Sequence, residues 1–296
     1  MNKNRLAMLI LVLTNLLWGG NFVFGKFLVK MIPPWTLAAL RWTVASLILL
    51  PWAWWQEKLA WPQIKKYQKH LLLMGISGVF LFNSLVYLAL KYTTPTNAAL
   101  ISSANPVVIA ALAYFLFREK LNRRQLLGLG LSLTGVVWVV SQGSWQRLTR
   151  LGLNWGDLTM VLDLFIWTVY IFSSRQVMKE IPVLSATAWS TAIGTVLLYP
   201  VAGWELGQIN IMALPWQRPE VITGILYIGI FASVLAFIGW NKGVQGLGPA
   251  RAAVFLNLIP VFAALLSWLV WQQPLQQAQL IGGLLVAGGV YLTNRG

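Results

Sequence analysis

The sequence has no cysteine and a single histidine, His70, set beside lysines. Disulfides and thiolate metal sites are therefore excluded, and imidazole chemistry has almost no material. Acids are scarce as well: seven Asp and Glu stand against 22 Lys and Arg, for a formal charge of +15. Only 10% of the 296 residues are charged, while 58% are hydrophobic. A soluble domain carries roughly 25% charged residues, so this composition describes a polytopic membrane protein with lipid-facing apolar surface. There is no HExxH metal motif and no GxSxG elbow. Asp157 and Asp163, six residues apart, point about 240° away from each other on a helix and cannot form a carboxylate dyad. No enzyme, cofactor or metal is expected.

What is present is apolar sequence in long runs. About 20 residues cross a bilayer core, and ten such runs can be drawn: 6–24, 35–55, 71–90, 97–117, 122–141, 155–173, 184–204, 220–240, 251–271 and 277–293. The basic start "MNKNRLAMLILVLTNLLWGG" has no small-residue cleavage site and reads as a retained first helix. Placing alternate loops on opposite sides, with the N-terminus inside, puts 15 Lys and Arg inside against 6 outside, with Arg41 within a span. The positive-inside rule then makes both termini cytoplasmic, in an inner (plasma) membrane. It also accounts for the basic excess without nucleic acid, which is not an expected partner.

The chain repeats itself. "TPTNAALISSANPVVIAALAYFLFREKLNRRQLLGLGLSLTGVV" from Thr94 and "GPARAAVFLNLIPVFAALLSWLVWQQPLQQAQLIGGLLVAGGVY" from Gly248 align without a gap at a shift of 154. Pro95 falls on Pro249, Pro106 on Pro260, Gln125 on Gln279, Gly128 on Gly282 and Gly135 on Gly289. Earlier, a shift of 149 pairs Trp18 with Trp167, Lys30 with Lys179, Pro33 with Pro182 and Pro51 with Pro200. Two related halves follow, 1–145 and 146–296. Five spans is an odd number, so the second half enters the membrane from the opposite side. The expected fold is all-α: ten transmembrane helices as two inverted five-helix repeats around a central cavity, with the substrate site near the midplane.

"LLWGGNFVFGK", "PPWTLAALRW", "NPVVIAALAYFLFREKLNRRQLLGLGLSLTGVV" and "LNLIPVFAALLSWLVWQQPLQQAQLIGGLLVAGGVYL" together resemble the drug/metabolite transporter superfamily, specifically its EamA-type ten-helix exporters. The resemblance covers essentially the whole chain. It implies export of small metabolites, amino acids, amines or drugs through a cavity between the halves. One departure is visible: the family's acid after the ninth span, matched by Glu119 after the fourth, is replaced by Gln273.

Candidate substrate-binding residues follow from polar and aromatic groups at matched depth. Asp163, Trp167, Tyr170 and Ser174 share one helical face, and their repeat partners Thr14, Trp18, Asn21 and Gly25 share another. Interfacial belting is the alternative for tryptophan; it suits Trp52, Trp54, Trp55 and Trp61 better than Trp18 and Trp167. A charged Asp at a helix centre costs roughly 2.5–3.5 kcal/mol. Asp163 is therefore expected either to carry a proton or a cationic substrate group in turn, or to hydrogen-bond a neighbouring helix permanently. Arg41 is expected either to snorkel to water or to grip a carboxylate with two parallel hydrogen bonds. Pro106 and Pro260 break their spans, with Asn105 and Asn257 beside the freed carbonyls. Asn83 joins them as a candidate. A passive facilitator or channel is the rival to alternating access. The expected partners are the lipid bilayer, a small-molecule substrate and the coupling proton, with a homodimer left open.

Overall fold

The computed structural model describes residues 3–57, 61–89, 92, 101–102, 104–118, 121–144, 146, 149, 154–272, 274 and 276–294. Pro95, Glu119, Gln273 and the start of the expected fourth span lie outside the described residues. The long helices are α1 (Lys3–Leu28), α2 (Pro34–Glu57), α3 (Gln68–Ala89), α4 (Asn105–Phe117) and α5 (Arg123–Ser141). They continue as α6 (Trp155–Val177), α7 (Val183–Gly207), α8 (Pro219–Leu247), α9 (Pro249–Val270) and α10 (Gln277–Asn294). No strand occurs among the described residues. Seven of these helices are long and apolar enough to cross a membrane, and the apolar part of α4, Asn105–Phe115, is shorter. Helices suit that solvent because they satisfy every interior backbone group within one segment.

The helix starts are written in side chains. Asn122 and Gln125 form a capping box at α5, as do Asn154 and Asp157 at α6. Asp157 therefore serves the start of its helix, where a carboxylate also complements the dipole. α2 and α7 are entered through Pro33 and Pro182, which carry no capping oxygen. Their caps come from each other instead. Glu205 near the end of α7 accepts from the Thr36 N–H at 2.8 Å and its hydroxyl at 2.9 Å. Glu57 at the end of α2 accepts from the Ser185 N–H at 2.7 Å and its hydroxyl at 2.5 Å. The two helices lie antiparallel, end against start; the shift of 149 carries Thr36 onto Ser185, and Glu205 stands one residue short of the equivalent of Glu57. Midway, Ser46 meets its own equivalent, Thr195, at 3.0 Å.

α5 and α10 repeat the pattern through glycine. A Cβ on Gly128 would meet the Gly289 carbonyl at 2.6 Å, and one on Gly289 the Gly128 carbonyl at 2.5 Å. Gly135 and Gly282 stand in the same mutual relation, at 2.6 and 2.5 Å. Small residues let these backbones touch. Both pairings are reciprocal, as an inverted repeat requires.

Helical Ile101 and Ser102 precede a turn at Ala104, after which α4 begins with Pro106 in its first turn. Pro260 lies inside its span, just after a 3-10 turn over Val254–Asn257. One feature departs from the sequence expectation: π-helical stretches in α3 (Gly75–Leu81) and α8 (Tyr227–Leu235), which occupy corresponding places in the two halves.

Candidate functional site

Arg41 is 1% exposed, so it does not snorkel. Its guanidinium lies where α1, α2, α3 and α8 meet, and every partner is neutral. Nε donates to Ser233 Oγ at 2.5 Å, and Nη2 to the Ala232 carbonyl at 3.2 Å. Nη1 donates to Asn83 Oδ1 at 2.7 Å, Asn21 Oδ1 at 3.0 Å and Tyr87 OH at 3.4 Å. The Ala232 carbonyl belongs to the π-helical stretch of α8, and Trp18 Nε1 donates to it as well, at 3.0 Å. Three sequence-derived candidates, Asn21, Arg41 and Asn83, thus form one cluster, and both halves contribute to it. Tyr87, Ala232 and Ser233 complete it and were not anticipated.

Beside it lies a block of aromatic rings. The Arg41 guanidinium sits 5.0 Å from the Trp42 ring. Trp42 meets Phe237 edge-on at 4.8 Å, and Phe237 meets Trp18, Trp167 and Tyr170 at 5.8, 5.9 and 5.6 Å. Trp167 stacks on Tyr170 at 4.9 Å and packs on Phe82 at 4.5 Å. Trp240 closes the group against Trp18 and Trp167. Trp18 and Trp167, equivalent in the two halves, are in contact at 5.7 Å. All but the partly buried Phe82 are buried, in contrast to Trp54 and Trp55, which stand 71% and 79% exposed at the end of α2 as interfacial residues do.

The second half holds a counterpart of the arginine cluster. Tyr170 donates to Asn241 Oδ1 at 3.0 Å, and Asn241 Nδ2 to Thr187 Oγ1 at 2.9 Å. By the repeat, Tyr170 corresponds to Asn21, Asn241 to Tyr87 and Ser190 to Arg41. Asparagine and tyrosine have exchanged places, and only the first half keeps a cation. The signal was present in the shift of 154, had it been extended from Asn241 back to Tyr87.

Hydrogen-bond accounting exposes an imbalance. Among the described residues, the buried donors Asn83 Nδ2, Trp42 Nε1 and Trp240 Nε1 have no acceptor. Arg41 adds a full positive charge, and the ion pair found among the described residues lies elsewhere, between Lys66 and Glu180 at 2.9 Å. A buried cation held only by dipoles is costly, several kcal/mol before compensation. Among the described residues the neighbourhood is rich in donors, and no ion pair reaches Arg41. Asp163, one turn before Trp167 on the same face, is 2% exposed, and its Oδ1 has no partner among the described residues. No ion pair joins it to Arg41. Asn257 donates to Ser132 at 2.9 Å and leaves Oδ1 unpaired, as Asn105 does. Neither bonds Arg41. Asn15 bonds its own helix, at Leu11.

The profile of the EamA-like transporter family matches residues 5–141 and again 154–295. A protein of Archaeoglobus fulgidus described as an uncharacterized transporter is 33% identical over 98% of both chains. The uncharacterized transporter YyaM of Bacillus subtilis is 31% identical over 92% of this chain and 88% of its own. A probable amino-acid metabolite efflux pump of Salmonella typhimurium is 25% identical, covering 97% of this chain and 93% of its own. A solved crystal structure, 21% identical, shares the fold with a TM-score of 0.76 over 97% of this chain and 95% of that one.

Proposed function

Because the chain belongs to the EamA-like transporter family, we propose that it is a secondary transporter exporting a small carboxylate-bearing metabolite, amino acids foremost, by alternating access. The observation that carries this reading is the buried Arg41, surrounded by neutral acceptors and unsatisfied donors, with no ion pair to it among the described residues. A substrate carboxylate would supply the missing anion and could accept from Arg41 and Asn83 together. The aromatic block around Trp18 and Trp167 would cover the rest of the substrate. The name of the Salmonella typhimurium relative points the same way for both direction and substrate class.

Asp163 completes the proposal. A carboxylate at this depth, its Oδ1 without a partner among the described residues, is tolerated if it exchanges a proton or receives a substrate amine during the cycle. Counting α4, α5 and α10 with the seven longer apolar helices gives ten spans, and the two reciprocal pairings support a boundary between the halves near residue 145. With both termini in the cytoplasm, Arg41 lies about a turn and a half from the outer surface.

The test is counterflow and gradient-driven uptake in proteoliposomes, screened over amino acids and their decarboxylated amines. Arg41→Gln should reduce apparent affinity for carboxylate substrates about tenfold to a hundredfold, the worth of one or two charge-assisted hydrogen bonds. Equal affinity for an amino acid and its amine, or an unchanged Arg41→Gln, refutes the carboxylate role. Equilibration without accumulation under any imposed gradient would favour a passive facilitator.

A further inference from the structure

The π-helical stretch of α8 meets Arg41 along one edge of its guanidinium. The Ala236 N–H goes to the Phe231 carbonyl, five residues back, rather than to Ala232. The Ala232 carbonyl accepts instead from Arg41 Nη2 at 3.2 Å and from Trp18 Nε1 at 3.0 Å. The next residue, Ser233, is fully buried, and its hydroxyl donates to the Ile228 carbonyl at 2.8 Å, again five residues back. A hydroxyl carries one hydrogen. With that hydrogen committed, the Ser233 oxygen that faces Arg41 Nε at 2.5 Å is an acceptor only.

Nε and Nη2 make the side edge of a guanidinium, Nη1 and Nη2 its end. Two successive residues of α8 thus occupy the side edge. The end is held less firmly. Nη1 has two hydrogens for Asn83, Asn21 and Tyr87 at 2.7, 3.0 and 3.4 Å, and Nη2, also with two, has Ala232 as its one acceptor among the described residues. The other half of the molecule shows that the serine is not needed for the backbone. The shift of 154 sets Val79 in the place of Ser233, as the shift of 149 sets Ser190 in the place of Arg41. Val79 lies in the π-helical stretch of α3 and is 1% exposed. A π-helical stretch therefore forms with valine at this position, and the serine occurs in the half that has the cation.

We propose that Ser233 is a positioning residue for Arg41: by closing the side edge of the guanidinium it leaves the end for the substrate, and so sets the preference for a carboxylate over a neutral group of the same shape. The inference rests on the carboxylate reading of Arg41. Two parallel hydrogen bonds to a carboxylate need one whole edge held in a fixed orientation. Without the Ser233 hydroxyl, Nε loses its acceptor and the guanidinium is free to turn either edge to the substrate.

The experiment uses the full chain in proteoliposomes. Counterflow of a radiolabelled mixture of the common amino acids is competed by each amino acid and by its carboxamide, which keeps the shape and loses the charge. Ser233→Val should lower the preference for acid over amide about tenfold, the worth of one hydrogen bond to a charged group. Ser233→Thr, equal to valine in size but with its hydroxyl, should keep the preference. Melting temperatures check folding, and should Ser233→Val fail to fold, Ser233→Ala makes the same comparison. If Arg41→Gln collapses the preference and Ser233→Val leaves it intact, the positioning role is wrong and the carboxylate reading stands. If threonine and valine slow uptake alike without moving the preference, the serine only packs and the proposal falls. If the amides compete as well as the acids in the unaltered protein, the carboxylate reading fails and the positioning role with it.

Discussion

The exchanged caps of α2 and α7 give a prediction whose size can be worked out. Glu57→Ala removes the acceptor for the Ser185 N–H and hydroxyl, and Glu205→Ala does the same to Thr36. Losing a helix cap costs about 0.5–2 kcal/mol, and a hydrogen bond to a charged group contributes about 1.5–3 kcal/mol. Both carboxylates are only half-buried, which favours the lower part of these ranges, but Thr36 and Ser185 are each 3% exposed and would keep unsatisfied donors. Each substitution should therefore destabilise by about 1–2 kcal/mol. Glu→Gln keeps an acceptor and loses the charge–dipole attraction, about 0.3–1 kcal/mol. The caps stand at opposite ends of a 24-residue helix, about 36 Å apart, so the double variant should show the sum of the two. The assay is reversible unfolding in mixed micelles, titrated with sodium dodecyl sulfate and followed by tryptophan fluorescence. If one variant is costly and the other silent, or if the double variant is no worse than a single, the reciprocal capping is wrong.

The glycine seam should be equally two-sided. Gly135→Ala and Gly289→Ala, repeat equivalents pressed on backbone, should each cost about 1–3 kcal/mol by the same assay. Gly130→Ala, with nothing within 4 Å of its Cβ, should be neutral or stabilise by up to about 1 kcal/mol. Asp163→Asn should abolish proton-driven accumulation while preserving substrate exchange, as measured by uptake across an imposed pH gradient and by counterflow; an unchanged pH profile would remove Asp163 from coupling. The Lys66–Glu180 pair holds the glutamate low and the lysine high. Its contribution is therefore present at neutral pH, fading as acid carries the medium down through the lowered carboxyl and as base carries it up through the raised ammonium. Glu180→Gln should flatten the acid limb of a stability–pH curve.

The features that survived from sequence to structure are those set by spacing along the chain. Pro33 with Pro182, Gly128 with Gly282 and Gly135 with Gly289 were paired by their shift, and the structure gives each pair equivalent surroundings. The Asn154–Asp157 capping box spans only three residues, so its signal is local to the sequence. Arg41 was not legible in the same way: its depth could be counted, but its partners Asn83, Tyr87 and Ser233 lie 42 to 192 residues away. The π-helical stretches escaped notice because one extra residue per turn leaves no mark in a run of uniformly apolar side chains.

The mutual contacts of α2 with α7, and of α5 with α10, bear on how such a molecule can come into being. Each is a contact that a single ancestral half could make with an upside-down copy of itself, so joining two genes end to end would add a tether and no new interface. Duplication then releases the two copies to diverge, and the arginine in one beside the serine in the other records that freedom.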